Sequence, residues 1–185
     1  MPIKPIPYVP EIRYMPERLI DVPTAWKEVT PVIYDILKRF HVPMESMIEF
    51  GVDYGYSTAV FANFFTTVIG VDTFEGDCHA GYRNNLLEQT TAALADFPNV
   101  HLKRFNYKDW ILFDETRYDL CHVDIVHSYE ETFECGDWAL KHAGILLMHD
   151  TLAFPDVMKA ATDLAMFHNK RFFNVYEQHG LGILV

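Results

Sequence analysis

Cysteine is scarce in this chain. Cys78, Cys121 and Cys135 are the three among 185 residues. They form no Cys-x-x-Cys pair and cannot all be bridged to one another, which excludes a disulfide framework and suits a reducing, cytoplasmic setting. Positive charge is also short: 15 Lys and Arg against 26 Asp and Glu give a formal net charge of −11. A chain so charged is repelled by a phosphate backbone, and its basic residues cluster nowhere, so no nucleic-acid partner is expected. No apolar run approaches the ~20 residues needed to span a bilayer, and no membrane partner is expected. The proline-rich start, Met1–Pro10, has no apolar core of the kind a secretory leader carries. A small-molecule substrate is the expectation that survives. Half of the residues are hydrophobic, enough for one domain with a proper core.

Residues 1–23 carry six of the ten prolines and little periodicity, and are expected to form an extended arm or cap. Thr30-Pro31 reads as an N-cap with proline at the first turn, and Val32, Ile33, Ile36, Leu37 and Phe40 recur at helical spacing. From there strands and helices alternate. Strands are expected at Ser46–Phe50, Thr67–Asp72, Asn99–Phe105, Tyr118–Asp124 and Gly144–His149. Helices are expected at Ser57–Phe65 (capped by Ser57), Tyr82–Asp96, Ser128–His142 and Pro155–Asn169, with Ser128 and Glu131 as a capping box. Such alternation implies a mostly parallel sheet covered on both faces. Arg171–Tyr176 and Gly180–Val185 are joined by only Glu177-Gln178-His179, which forces an antiparallel hairpin. The fold expected is a Rossmann-like, doubly wound α/β sheet of seven strands ending in that hairpin.

The segment Glu49-Phe50-Gly51-Val52-Asp53-Tyr54-Gly55-Tyr56-Ser57-Thr58 joins a strand to a helix through a glycine turn, and Asp72 follows Gly51 by 21 positions. That is near the interval at which a nucleotide-binding βαβ unit places its ribose-binding acid. Glu49 and Asp53 stand where a diphosphate would lie and would repel it. They suit a ligand with cationic groups, such as the ammonium and sulfonium of S-adenosylmethionine. The plainer alternative is a glycine turn that only links strand to helix.

On these residues the stretch from about Met47 to Val185 resembles the class I S-adenosylmethionine-dependent methyltransferases, within them the branch of macrocin and catechol-type O-methyltransferases. Val71-Asp72 resembles the family's second motif. His122-Val123-Asp124-Ile125-Val126-His127-Ser128-Tyr129-Glu130 resembles its Ile-Asp-Gly-Asp-His-Ser-Tyr-Glu segment, and Met148-His149-Asp150-Thr151 the end of its fifth strand. The resemblance implies S-adenosylmethionine as cofactor, held by Glu49, Gly51, Asp53, Gly55, Ser57, Asp72, Thr73, Asn106 and Asp124. Asn106 stands where the family often has an acid facing the adenine amino group. The resemblance also implies a divalent cation such as Mg2+ on Asp124 and Asp150, although Val126 replaces the second acid of the pattern.

Asp124, His127, His149 and Asp150 should converge at the carboxyl ends of neighbouring strands. His127 is the candidate general base, because an imidazole can take a proton from a phenol or alcohol near neutral pH. Its plainer role is to fix the loop before the next helix. Asp124 joins it as a catalytic residue through the cation. Residues 1–45 would cap the acceptor side or make a homodimer contact, and Glu75–His79 would form a loop over the cofactor. The function expected is methylation of a small molecule, at oxygen as the resemblance to this branch implies. Two rivals stay open: a member that binds cofactor or partner without catalysis, and a nicotinamide-dependent oxidoreductase.

Overall fold

The computed structural model describes residues 3–76, 81–82 and 86–185. Part of the expected loop Glu75–His79, Cys78 included, and residues 83–85 of the expected helix Tyr82–Asp96 lie outside the described residues.

All seven expected strands form, within two residues of their expected ends, which is the ordinary scatter of strand boundaries. An eighth precedes them. In chain order they are β1 (Ile6–Pro7), β2 (Ser46–Phe50), β3 (Thr67–Asp72), β4 (Val100–Arg104), β5 (Tyr118–Val123), β6 (Ala143–His149), β7 (Phe172–Val175) and β8 (Leu181–Leu184). The helices are α1 (Ile33–Arg39), α2 (Tyr56–Ala62), α3 (Leu86–Ala93), α4 (Tyr107–Trp110), α5 (Tyr129–His142) and α6 (Pro155–Phe167). One sheet holds every strand in the order β1-β7-β8-β6-β5-β2-β3-β4. β8 is antiparallel to both β6 and β7, and the other pairs are parallel.

The period of two sorts side chains between two cores. Met47, Leu120, Leu147 and Ile183 face one core with α1 and α2. Ile48, Cys121, Leu146 and Leu184 face the other, against Cys135 and Trp138 of α5 and Leu164 of α6. Cys121 and Cys135 are free, buried, and held as thiols, since burial raises both well above the ordinary range.

Four local expectations change. The sheet has eight strands because Ile6 and Pro7 of the arm pair in parallel with Phe173 and Asn174. A two-residue strand is too short to show alternation. The arm also reaches the core through Tyr8, which is buried and donates its hydroxyl to Asp35 at 2.5 Å. Thr30 opens a 3-10 turn, Thr30–Val32, and caps nothing: its hydroxyl donates to the Trp26 carbonyl at 2.7 Å. Ser57 lies inside α2, whose N-cap is Gly55. Ser128 does cap α5, accepting from the Glu131 amide, as its spacing to Glu131 predicts.

Candidate active site

The chain runs from β2 outward to β3 and β4 on one side, then returns to place β5 on the other side of β2. Ligands bind open α/β sheets at such a reversal, outside the carboxyl ends of the strands. Here those ends open into a cavity of about 440 Å3.

The turn after β2 is set by backbone crowding. Gly51 has φ +89°, and a Cβ on it would sit 1.7 Å from the Asp124 carbonyl oxygen. That oxygen lies so near because the Asp124 amide donates to the Phe50 carbonyl at 2.9 Å, continuing the β2–β5 ladder. Gly55 has φ +87° and faces the side chains of Thr90 and Leu94. Asp72, at the end of β3, ties the turn down. Its Oδ2 accepts from the Val52 amide at 2.7 Å and the Asp53 amide at 3.0 Å, and its Oδ1 accepts from the Phe74 amide at 2.6 Å. A carboxylate offers about four lone-pair sites, so one remains on Oδ1 for a hydroxyl.

Seven of the nine residues expected to hold the cofactor line this cavity: Gly51, Asp53, Ser57, Asp72, Thr73, Asn106 and Asp124. Gly55 and Glu49 do not. Glu49 is fully buried and accepts from the Ser57 hydroxyl at 2.6 Å, the Thr58 hydroxyl, and His122 Nδ1 at 2.9 Å. It therefore stands beneath the site, fastening the first turn of α2 to β2 and β5. The two hydroxyls that read as a helix start serve as its hydrogen-bond donors. Asn106 caps α4, with Oδ1 accepting the Lys108 amide at 2.9 Å, so one lone pair of its carbonyl is already engaged.

Asp124, His127, His149 and Asp150 converge as the strand order requires. His127 Nε2 lies 2.8 Å from Asp150 Oδ2 and 3.7 Å from Asp124 Oδ1. His149 Nδ1 lies 3.2 Å from Asp124 Oδ2 and 3.2 Å from Asp150 Oδ1. A fifth member, His179, brings Nδ1 to 3.1 Å from Asp150 Oδ1. The His127 ring stacks on Phe154, with centroids 4.0 Å apart and planes at 6°.

Electrostatics within the cluster are tightly linked. Burial alone would raise the Asp124 pKa, but the charge of His149 and contacts with His127 hold it well below the carboxylate range. Asp150 is brought down to about 2 by His127 and His149, again against burial. Burial disfavours protonated imidazoles, yet the two carboxylates outweigh it, raising His127 to about 9 and His149 to about 10. Both imidazoles thus carry their protons at neutral pH. A base role for His127 belongs to alkaline pH or to a state in which a bound cation has displaced its proton.

The pH dependence of stability follows. A histidine whose pKa rises on folding contributes fully below its unfolded value of about 6.5, and the contribution is lost as pH rises through the folded values of about 9 and 10. Asp150 contributes fully above 3.8, and its share is lost as pH falls through about 2. The melting temperature should therefore decline as pH is raised from 6.5 to 10. In His149→Gln the decline should be shallower, from a lower start. Equal slopes in the two proteins, measured by thermal unfolding at matched ionic strength, would overturn the assignment.

Among the wall residues that sequence reasoning missed are His179 and Trp26. His179 arrives on the hairpin connection, and its loop is tied to the arm by the Arg13 guanidinium, which donates to both oxygens of Glu177. Trp26 closes the other side, buried edge-on against His122 at 4.8 Å. The glycine turn and the sheet reversal define the molecule as a Rossmann-like nucleotide-cofactor protein. The particular family comes from comparison. Residues 48–151 match the profile of the family described as "Methyltransferase domain", more than half of the chain. The chain belongs to that family and is a class I S-adenosylmethionine-dependent methyltransferase.

Solved structures agree on the fold. A Staphylococcus aureus protein described as a caffeoyl-CoA O-methyltransferase is similar with TM-score 0.67 and 13% identity, over 89% of this chain and 85% of that one. An amino pentose methyltransferase from Micromonospora echinaspora, with S-adenosylmethionine bound, gives 0.64 and 11%, over 87% and 91%. An O-methyltransferase from Bacillus cereus in complex with S-adenosylhomocysteine gives 0.62 and 11%, over 89% and 82%. No curated protein matches the sequence. Among the described residues no helix is long and apolar enough to cross a membrane.

Proposed function

We propose that the protein transfers the methyl group of S-adenosylmethionine to a hydroxyl oxygen of a small-molecule acceptor. One observation carries this reading: the glycine turn, Asp72 and the Asp–His cluster all line a single cavity of about 440 Å3. That volume falls in the usual range for sites that enclose a small ligand. The cofactor's ribose would donate to the remaining lone pair of Asp72 Oδ1. Its ammonium and sulfonium would lie against a wall holding the carboxylates of Asp53, Asp72 and Asp124. The acceptor would enter between the cluster and the residues 23–26 wall, which makes the arm a cap on the acceptor side. Two of the solved structures similar in fold are described as O-methyltransferases, and this supports oxygen as the atom methylated.

The chemistry is in-line displacement on a sulfonium, which already carries a good leaving group. Catalysis then rests on holding the acceptor oxygen near the methyl carbon, about 3–3.5 Å away in a productive pose. Asp124 and Asp150 are the oxygen donors available to a divalent cation, and such an ion, when bound, lowers the pKa of a coordinated hydroxyl. His127 lies within reach of both carboxylates, and at alkaline pH, once its own proton is lost, it would take the acceptor proton.

A second reading, a member that binds cofactor without catalysis, draws on Asn106, whose carbonyl is engaged by the Lys108 amide, and on Val126 in place of an acid. Calorimetry with S-adenosylhomocysteine and with NAD, followed by mass-spectrometric screening of hydroxyl and amine acceptors, separates the possibilities. The expected result is stoichiometric binding of S-adenosylhomocysteine, none of NAD, and a mass increment of one methyl on a hydroxyl compound. Binding without transfer to any acceptor would favour the second reading, and transfer to amines alone would overturn O-methylation.

A further inference from the structure

We propose that His127 is itself a metal ligand, so that Asp124, His127 and Asp150 form a mixed oxygen–nitrogen triad suited to a first-row transition ion. The inference rests on the proposed cation at Asp124 and Asp150 and changes the expected identity of the ion. The three residues can each direct one ligand atom into a common space, with these atoms all within 4.8 Å of one another. His127 Nε2 stands 2.8 Å from Asp150 Oδ2 and 3.7 Å from Asp124 Oδ1. Ligand atoms about 2.0–2.2 Å from a tetrahedral ion are separated by roughly 3.3–3.6 Å, between those two values.

The outer oxygens of the same carboxylates are held from behind. Asp124 Oδ2 faces His149 Nδ1 at 3.2 Å, while Asp150 Oδ1 faces His149 Nδ1 at 3.2 Å and His179 Nδ1 at 3.1 Å. Each acid thus turns one oxygen to histidines behind it and the other toward His127. The His179–Asp150 hydrogen bond is the kind of outer contact that orients a metal ligand, and His149 adds a ring beside both acids without bonding either. His149 gives a second, independent observation at the cluster. It is 3% exposed, and neither ring nitrogen makes a hydrogen bond among the described residues, although Nδ1 is within ion-pair distance of both acids. Its nitrogen points between the carboxylates instead of squarely at either. Phe154 stacks on one face of the His127 ring and favours this orientation.

Donor chemistry then selects the ion. Mg2+ holds to oxygen ligands and keeps several waters, whereas imidazole suits Zn2+, Fe2+, Co2+ and Ni2+. Any carboxylate site binds Co2+ more tightly than Mg2+, so that ratio decides nothing. The share contributed by His127 does.

The test uses the full-length protein, stripped with a chelator and loaded with Co2+ or Mg2+ in parallel. In the Co2+ form, proton NMR should show a paramagnetically shifted, solvent-exchangeable imidazole N–H, that of His127 Nδ1. His127→Asn should lose this signal and bind Co2+ some 10–100-fold more weakly, with Mg2+ affinity changed less than about threefold. A Co2+ form without the signal, a signal that survives in the variant, or unchanged Co2+ affinity would each overturn the proposal. Should the variant fail to fold, the wild-type spectrum still decides. Calorimetry with S-adenosylhomocysteine on the same preparation keeps the two readings apart. Absent binding there would overturn the proposed function and leave the cobalt result standing.

Discussion

Gly51→Ala should lower stability by roughly 2–5 kcal/mol, the sum of an overpacking term and a left-handed backbone term, and abolish binding of S-adenosylhomocysteine. The new methyl group would occupy the position of the Asp124 carbonyl oxygen, 1.7 Å away, and backbone cannot swing aside as a flexible side chain can. Relief would require parting β2 from β5 at the end where the Asp124 amide meets the Phe50 carbonyl. Gly81 supplies the control. Its φ of +83° is as positive, but a Cβ there would meet nothing within 4 Å among the described residues. Gly81→Ala should therefore cost only about 1–2 kcal/mol, the backbone part alone. Urea unfolding of both variants measures the difference. Equal losses at the two positions would mean that crowding against Asp124 is not what holds the turn.

Asp124→Asn should reduce methyl transfer by a factor on the order of 10²–10³, the usual cost of removing one charge aimed at a reacting centre. Asp124 is the only group of the cluster that stands both beside the glycine turn and against two histidines. The amide keeps the shape and loses the charge that keeps His127 and His149 protonated, so both imidazoles should release their protons at lower pH. NMR titration of the two rings then tests the electrostatics separately from the rate. S-adenosylhomocysteine should still bind, more weakly for the lost carboxylate, because Asp72 and the turn are untouched. A variant with nearly full activity would exclude Asp124 from the chemistry, whatever the cofactor does.

Much of the architecture was legible because it depends on simple periodicities. Apolar runs of five or six residues alternating with helical segments specify a parallel sheet, and a three-residue link specifies the hairpin. Asp124 and Asp150 could be placed together because neighbouring parallel strands end side by side. What could not be read was direction and reach. Glu49 has the right type and spacing for a cofactor contact, but the pleat turns it under α2, where Ser57, Thr58 and His122 engage it. Asn106 precedes a one-turn helix, α4, too short to leave a periodic trace. His179 and Trp26 come to the cavity from a turn and an arm, segments whose course is set by tertiary packing and by contacts such as Arg13 to Glu177. No local pattern encodes such contacts.

The two-residue β1 also bears on how the sheet ends. β7 is apolar and buried for most of its length, Phe172, Asn174 and Val175 being inaccessible. Left bare, its outer row of amides and carbonyls would be a template on which another chain could add a strand. Pairing with Ile6 and Pro7 covers that row, and the Tyr8 amide closes it on the Asn174 carbonyl at 2.8 Å. Proline has no N–H to offer outward, and so short a strand gives a newcomer almost nothing to align with. The proline-rich arm is in this sense a selvedge, which keeps the sheet from growing from one molecule into the next.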